Sequence, residues 1–461
     1  MTSIVIIGGG PGGYEAALVA AQLGADVTVV ERDGPGGACV LTDCVPSKTL
    51  IATATRMAVM SESDRLGLRF TGGADGDVGG LEADLGVVNK RVKDLARQQS
   101  FDVAERLGYE DVNIVRGAAR LIDQHTVEVA GERLSADIVL IATGATPRML
   151  PGAEPDGERI LNWRQLYDLP ALPEELIVVG SGVTGAELAS AYLSLGSRVT
   201  LVSSRDRVLP NEDADAAIVL EDVFRRRGMN VMSRSRAGAV ERSGDGVIVT
   251  LEDGRKVEGS HCLMTVGMIP NTWGIGLEAA GVRLGRGGFV EVDKVSRTSV
   301  SNIYASGDCT GVLMLASVAA MQGRIAMWHA LGEAVQPLKL GWVSANIFTD
   351  PEVATVGVSQ QMVDSCEVNA RTVMLPLHTN ARAKMQGFED GFVKLFCRPS
   401  TGIILGGVIV APRASELVLG LSIAVQQHLT VDQLAHTFAV YPSLSGSLTE
   451  AARRLMQDHQ Y

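Results

Sequence analysis

The sequence predicts an α/β chain of three domains: two wound around parallel sheets and a third, C-terminal, of α+β character. Three observations lead there. A glycine cluster, Gly8-Gly9-Gly10-Pro11-Gly12-Gly13, sits between an apolar β-branched run and a helical stretch near the N-terminus. The same unit returns at Gly180-Ser181-Gly182-Val183-Thr184-Gly185. The last part of the chain mixes strand-like and helix-like segments with no such cluster. At 461 residues the chain is also too long for one hydrophobic core.

Ser3–Ile7 is β-branched and uninterrupted, as a parallel strand buried on both faces requires. Tyr14–Leu23 reads as the helix after the glycines, and Asp26–Val30 as a second strand ending in Glu31. Gly8, Gly10 and Gly13 form G-x-G-x-x-G, and Glu31 follows Gly13 by 18 positions, close to the ~20 expected of a ribose-binding acid. The glycines serve a tight turn, close backbone approach to a pyrophosphate, and close packing of helix on strand. The chain therefore opens with a Rossmann-like dinucleotide-binding domain.

Next comes Gly36-Gly37-Ala38-Cys39-Val40-Leu41-Thr42-Asp43-Cys44-Val45-Pro46-Ser47-Lys48. The two cysteines approach each other if the helix starts only at the second one. Pro46 suits an early helical position, and a helix N-terminus favours a thiolate. The pair either closes a small disulfide ring or stays as two inert buried thiols. Zinc is disfavoured, because no second cysteine pair lies at ligand spacing.

Helical sequence continues to about Met60. Ser61–Val87, rich in Gly and Asp, reads as a surface excursion before a helix over Val88–Leu107. Val112–Val115, Gly117-Ala118-Ala119 and Thr126–Val129 are expected in a small sheet. Ile138–Ile141 returns to the main sheet and exits through Ala142-Thr143-Gly144-Ala145-Thr146-Pro147.

The pattern then repeats: strand Leu176–Val179, the second fingerprint, helix Ala186–Leu195 and strand Arg198–Val202. Two copies mean two Rossmann-like dinucleotide-binding domains. Where the first copy has Glu31, the second has Ser203-Ser204-Arg205, with Arg207 nearby. A carboxylate there would bind a free ribose 2′-hydroxyl and repel a 2′-phosphate. Ser with Arg removes the repulsion and adds a fork donor, which favours NADPH over NADH. Val247–Leu251 and Lys256–Glu258 read as an antiparallel excursion, Cys262–Val266 as a return to the sheet. Ile303–Ala305 leads to Gly307 and Asp308, and helix Leu315–Leu331 follows. Beyond a linker at Pro337–Gly341 lie strands Val353–Val356, Phe392–Phe396 and Ile403–Val410 and helices Ser415–His428, Val431–Ala435 and Leu448–Gln457.

Composition narrows the function. The formal charge of −12 argues against nucleic acid and anionic membranes as main partners. Six cysteines in so long a chain do not make a secreted disulfide framework, so a reducing, cytoplasmic setting is expected. No window reaches the ~18 apolar residues of a membrane span, and Met1–Ile7 lacks the basic flank of a signal peptide. No metal site is expected.

With these motifs in order, the chain resembles the flavoprotein pyridine-nucleotide disulfide oxidoreductases, among them lipoamide dehydrogenase, glutathione reductase, mercuric reductase and soluble transhydrogenase. The resemblance rests on both fingerprints, Glu31, the stretch Gly36–Lys48, Ala142-Thr143-Gly144, Ala305-Ser306-Gly307-Asp308, and Phe348-Thr349-Asp350-Pro351-Glu352. It implies FAD bound over residues 1–148 and 273–342, NAD(P)H over 149–272, and a homodimer made by 343–461. It implies that Glu31 binds the adenosine ribose of FAD and that Asp308 binds its ribityl or phosphate part. Gly8, Gly10, Pro11, Gly13, Arg32, Gly37, Ala38, Gly117, Ala118, Ala142, Thr143, Gly144, Gly307, Met314, Leu315 and Ala316 would complete the FAD site. Cys39 would exchange with substrate, Cys44 would touch the flavin, and Lys48 would lie by the flavin and pair with Glu187. Gly180, Gly182, Val183, Thr184, Gly185, Glu187, Ser203, Ser204, Arg205 and Gly267 would hold NADPH or NADH.

One element departs from the family. Its disulfide reductases end with a His-Pro and a Glu one turn later; here Tyr441-Pro442 and Gly446 stand in those places. Reducing a disulfide needs a base to activate Cys39 and an acid for the leaving thiolate. A phenol is a poor base at neutral pH. Mercuric reduction is disfavoured, since no cysteine pair follows Cys397. Asp43 also replaces the usual Gly before Cys44, a like charge that opposes a thiolate. The expected activity is FAD-dependent NAD(P)H oxidation with quinones or similar acceptors. The alternatives are dihydrolipoyl dehydrogenase, pyridine-nucleotide transhydrogenase, and a non-catalytic flavin-binding subunit or redox sensor.

Overall fold

The computed structural model describes residues 1–68 and 81–457. Of the excursion expected over Ser61–Val87, residues 69–80 lie outside the described residues. The chain forms two compact units. The first comprises Met1–Thr49, Asn89–Arg148 and Val266–Lys339; the second comprises Leu50–Val88, Met149–Thr265 and Leu340–Tyr461.

The first unit is built on five parallel strands in the order Ile303–Ala305, Ile138–Ile141, Ser3–Ile7, Asp26–Glu31, Asn113–Arg116. Side chains alternate across a strand. Ile4 and Ile6 pack with Ala16, Ala17 and Ala20 of helix Pro11–Gln22, with Met327 of helix Ala316–Ala330, and with Val103 and Leu107 of helix Leu85–Tyr109. Val5 and Ile7 pack on the opposite face with Leu121, Val127 and Val129 of a small antiparallel sheet. Burial on both faces is why Ser3–Ile7 carries no polar alternation. Asn113–Arg116 does not join the small sheet, as expected, but forms the edge of the parallel one. Its half-exposed residues hide the apolar run that marks central strands. The small sheet consists of Ala119–Leu121, Thr126–Val129 and Glu132–Ser135.

The second unit contains another five-stranded parallel sheet, in the order Asn230–Met232, Arg198–Val202, Glu175–Val179, His261–Met264, Ile160–Asn162. Its antiparallel excursion has three strands, Ala237–Ser243, Gly246–Leu251 and Lys256–Gly259. The C-terminal portion is α+β. Five antiparallel strands run in the order Ser344–Ile347, Glu352–Gly357, Ile404–Ala411, Phe392–Cys397, Arg371–Pro376. Helices Ala414–Gln426, Val431–Ala435 and Gly446–Gln457 share one apolar core with this sheet through Leu421, Val431 and Leu455. Among the described residues no helix is long and apolar enough to cross a membrane.

Candidate active site

At the carboxyl end of the first sheet the chain turns through Gly8, whose φ of +106° only glycine adopts without strain. A Cβ at Gly13 would overlap the carbonyl oxygen of Gly8, so the helix packs against the turn at a distance no other residue permits. Helix Pro11–Gln22 then starts at Gly10 with no side-chain cap and Pro at its first turn. A Cβ on Gly10 would meet nothing nearer than the Gly36 carbonyl oxygen, 4.0 Å away. An uncapped helix N-terminus beside open space is the geometry that receives a phosphate.

Glu31, buried at the end of its strand, is held by main-chain donors. Its Oε2 accepts from Gly9 N at 2.6 Å, and its Oε1 accepts from Asp33 N at 2.8 Å. The Arg32 guanidinium is exposed and paired with Asp33 at 2.8 Å. The main chain ties neighbouring site segments to this frame: Gly36 N to Gly9 O, Gly117 N to Glu31 O, and Ala142 N to Ile7 O. A Cβ at Gly37 would come within 3.0 Å of Gly10 Cα. Gly144, like Gly10, faces open space. Gly307 donates its N–H to Gln322 Oε1 at 2.9 Å. Leu315 precedes helix Ala316–Ala330, with Met314 exposed beside it.

The dithiol stretch folds as expected in one respect. A short helix, Gly37–Leu41, stops where Thr42 N and Asp43 N both bond the Ala38 carbonyl, and a new helix, Cys44–Ser61, begins at the second cysteine. That break brings the two thiols, which form no disulfide, within hydrogen-bonding distance. The helix that starts at Cys44 gives Cys39 no help toward a thiolate. For Cys39 the shared hydrogen bond with Cys44 comes first, then burial, then the charges of Cys44, Asp43 and Asp308, and all push its pKa up. Asp308 is itself raised to about 6, first by burial and then by Asp43. Its carboxylate accepts no hydrogen bond among the described residues. Lys48 lies four positions beyond Cys44 on the same helix.

The second unit repeats the fingerprint. Gly180 turns with φ +112°, a Cβ at Gly185 would overlap the Gly180 carbonyl oxygen, and Gly182 faces open space at the uncapped start of helix Val183–Leu195. Thr184 lies in its first turn, and Glu187 is buried further along, its Oε1 accepting from Phe348 N at 2.9 Å. Ser203 is fully buried, and its hydroxyl lies 2.7 Å from that of Ser181. Its hydroxyl is therefore engaged within the protein. Ser204 and Arg205 are exposed, and the Arg205 guanidinium has no ion pair among the described residues. Gly267 lies in the first unit, its carbonyl accepting from Arg148 N at 2.9 Å.

Tyr441 is 84% exposed, and Phe438 and Val440 beside it are exposed too. Gly446 opens helix Gly446–Gln457 and offers no side chain. Asn380 fixes this corner by donating to Ser443 O at 3.0 Å and Ser447 Oγ at 2.8 Å. Thus the residues expected at the flavin gather in the first unit. The second fingerprint, Glu187 and Tyr441 belong to the second.

Two features are not legible in the sequence. Ser181 sits inside the fingerprint at a position the motif leaves unspecified. Lys394 lies in the apolar strand Phe392–Cys397, only 1% exposed, its Nζ 2.8 Å from Asp213 Oδ2 and 2.6 Å from Asp215 Oδ2. The one signal of the latter is a lone lysine within an otherwise apolar run.

Comparison with known proteins agrees with this geometry. The description "Pyridine nucleotide-disulphide oxidoreductase" matches residues 2–323, and that family's dimerisation domain matches residues 343–452. The chain is 56% identical to the NAD(P)H dehydrogenase (quinone) of Mycobacterium tuberculosis strain H37Rv, over 99% of this chain and 94% of the relative. It is 32% identical to the dihydrolipoyl dehydrogenase of Geobacillus stearothermophilus, over 98% and 95%. The crystal structure of LpdA from M. tuberculosis superposes with a TM-score of 0.93 at 56% identity, covering 99% of this chain and all of that one. Two glycine-fingerprint sheets, a dithiol beside the first and an α+β C-terminal portion are thus the parts of a known architecture, and the chain belongs to the pyridine nucleotide-disulphide oxidoreductase family.

Proposed function

We propose that this chain passes electrons from NADPH or NADH, through FAD, to quinones or similar small acceptors. One observation carries the choice of acceptor: both fingerprints are intact, while exposed Tyr441 and side-chain-less Gly446 stand where an acid–base pair would serve a disulfide. The quinone in the name of the M. tuberculosis relative supports it, and FAD with NAD(P)H is the cofactor pair of the family.

The first unit's residues fit FAD, which when bound would supply a two-electron carrier between nicotinamide and acceptor. Gly10 and the helix behind Pro11 leave room and positive potential for its pyrophosphate. Glu31, aimed by two main-chain donors, would accept from the ribose hydroxyls. The Asp308 carboxylate would repel a phosphate, so the ribityl hydroxyls suit it better. Ala142–Gly144 and Met314–Ala316 would line the remainder. The raised pKa of Cys39 leaves it little thiolate, so it would exchange slowly with a disulfide when no base draws its proton away. In the second unit Gly182 and the helix start would receive the pyrophosphate of the nicotinamide cofactor, and Glu187 positions the Phe348 turn. Residues 1–148 with 273–342, 149–272 and 343–461 would act as the FAD, NAD(P) and dimerisation domains, and a cytoplasmic homodimer is the proposed form.

Replacing Cys39 with Ser tests the route. If flavin is the direct donor, quinone turnover survives the change; collapse of turnover would show that electrons pass through the dithiol. Dihydrolipoyl dehydrogenase is the second candidate, because the paired thiols and the 32% identical relative favour it.

Arg205 is proposed to read the 2′-phosphate. Losing a charged hydrogen bond costs ~1.5–3 kcal/mol. Arg205→Ala is therefore expected to weaken NADPH binding by roughly ten- to over a hundredfold and leave NADH nearly unchanged. Titrations giving equal losses for both nucleotides would remove Arg205 from this role.

A further inference from the structure

We propose that the hydroxyl pair Ser181–Ser203 is the element that sets nucleotide choice in the second unit. It does so without touching the nucleotide, as a positioning pair. The proposal rests on the reading that Gly180–Gly185 holds NAD(P)H.

The chain contains its own control, because the two fingerprints correspond bond for bond. Gly8 N bonds Val30 O at 2.8 Å, and Gly180 N bonds Val202 O at 2.9 Å. Glu31 therefore corresponds to Ser203, Gly9 to Ser181, and Asp33 to Arg205. In the first copy the carboxylate of Glu31 bridges Gly9 N and Asp33 N. In the second, Ser203 Oγ meets Ser181 Oγ at 2.7 Å and accepts from Arg205 N at 3.2 Å. The same two ends of the turn are joined, but by neutral hydroxyls.

The two positions exchange together for a steric reason. A Cβ at Gly9 would lie 3.1 Å from Glu31 Oε2 and 3.3 Å from its Cβ and Cγ, tighter than ordinary van der Waals approach. A carboxylate at the strand end thus favours glycine opposite, whereas two short hydroxyls meet there at hydrogen-bonding distance. The pair removes the acceptor for a ribose 2′-hydroxyl and the charge that would repel a 2′-phosphate.

The pair also shapes the turn. The Ser203 hydroxyl lies 3.3 Å from Arg205 O and 3.4 Å from Arg207 O, and Ser235 N bonds Ser203 O at 2.7 Å. With Ser203 wholly buried, the chain folds around one hydroxyl and leaves Arg205 outside, where a phosphate can reach it.

The test uses the flavin-loaded, full-length protein, with NADP⁺ and NAD⁺ binding measured by calorimetry. Ser181→Gly with Ser203→Glu rebuilds the first copy's arrangement. NADP⁺ is expected to weaken by ~10- to 100-fold, the scale of one charged hydrogen bond, while NAD⁺ tightens. An unchanged ratio of the two affinities, or equal weakening of both, overturns the proposal. If the double variant does not fold, Ser203→Ala decides. Removing the hydroxyl that organises the turn should weaken NADP⁺ alone, and parallel losses would again refute it. Correct selectivity in a protein that fails to reduce quinones would sink the acceptor assignment and leave this pair's role standing. Wild-type protein that binds neither nucleotide would overturn both.

Discussion

Purified Gly10→Val protein is expected to fold and to carry no flavin. The backbone at Gly10 has φ −68° and ψ −177°, an extended conformation that valine adopts without strain. The nearest protein atom to a new Cβ is 4.0 Å away, so the substitution costs the apoprotein little. The branched side chain would instead occupy the space left at the helix N-terminus for the pyrophosphate. Losing two charged hydrogen bonds there, at ~1.5–3 kcal/mol each, amounts to ~10²–10⁴-fold in affinity. Flavin absorbance per protein should fall from near one to near zero while circular dichroism stays native. Full flavin content in a folded variant would contradict the placement. Gly13 makes the contrast: a Cβ there overlaps the Gly8 carbonyl, and its loss would break the turn itself.

Lys394→Met is expected to cost ~3–5 kcal/mol of stability, the scale of removing one partner from a buried ion pair. Lys394 Nζ is buried with Asp213, and the half-exposed Asp215 closes the cluster from the solvent side. Asp213 caps helix Ala214–Arg226 through Asp215 N and Ala216 N. Methionine fills the stem's volume but leaves two carboxylates without their cation. Urea denaturation of the flavin-loaded protein should show the loss. Adding Asp213→Asn and Asp215→Asn should recover much of it, because amides need no counter-charge. A loss below about 1 kcal/mol in Lys394→Met alone would mean that the cluster is solvated and not structural.

What the sequence discloses follows from where each signal resides. Ser3–Ile7, Ile138–Ile141 and Arg198–Val202 are central strands, and burial on both faces leaves an apolar run that composition alone reveals. The fingerprint glycines are legible because no other residue fits their turns. Asn113–Arg116, Ser344–Ile347 and Arg371–Pro376 are edge strands that face partly outward, so their periodicity is weak. Helix Ala214–Arg226 is absent from the expectations although Asp213 is a standard cap followed by Leu220, Val223 and Phe224 at helical spacing. Of the site, Glu31, Asp308, the cysteines and the Tyr441–Gly446 departure are visible as residue types at expected positions. The inward turn of Ser203 is not. A serine at a strand end reads equally as a ligand-binding group or a packed hydroxyl, and only the 2.7 Å approach of Ser181 separates the two.

The central claim is that electrons leave this protein for quinones because the disulfide half-reaction lacks its acid–base pair. Missing general acid–base catalysis costs ~10²–10⁴-fold. Restoring it with Tyr441→His and Gly446→Glu should raise disulfide reduction, though by less than that range if the supporting groups are also absent. The deciding measurement is simpler: steady-state NADPH oxidation by the unmodified protein, with a quinone in one series and lipoamide in the other. Quinone turnover exceeding lipoamide turnover by ~10²-fold or more is the predicted result. Comparable rates with the two acceptors would contradict it, whatever the double variant does.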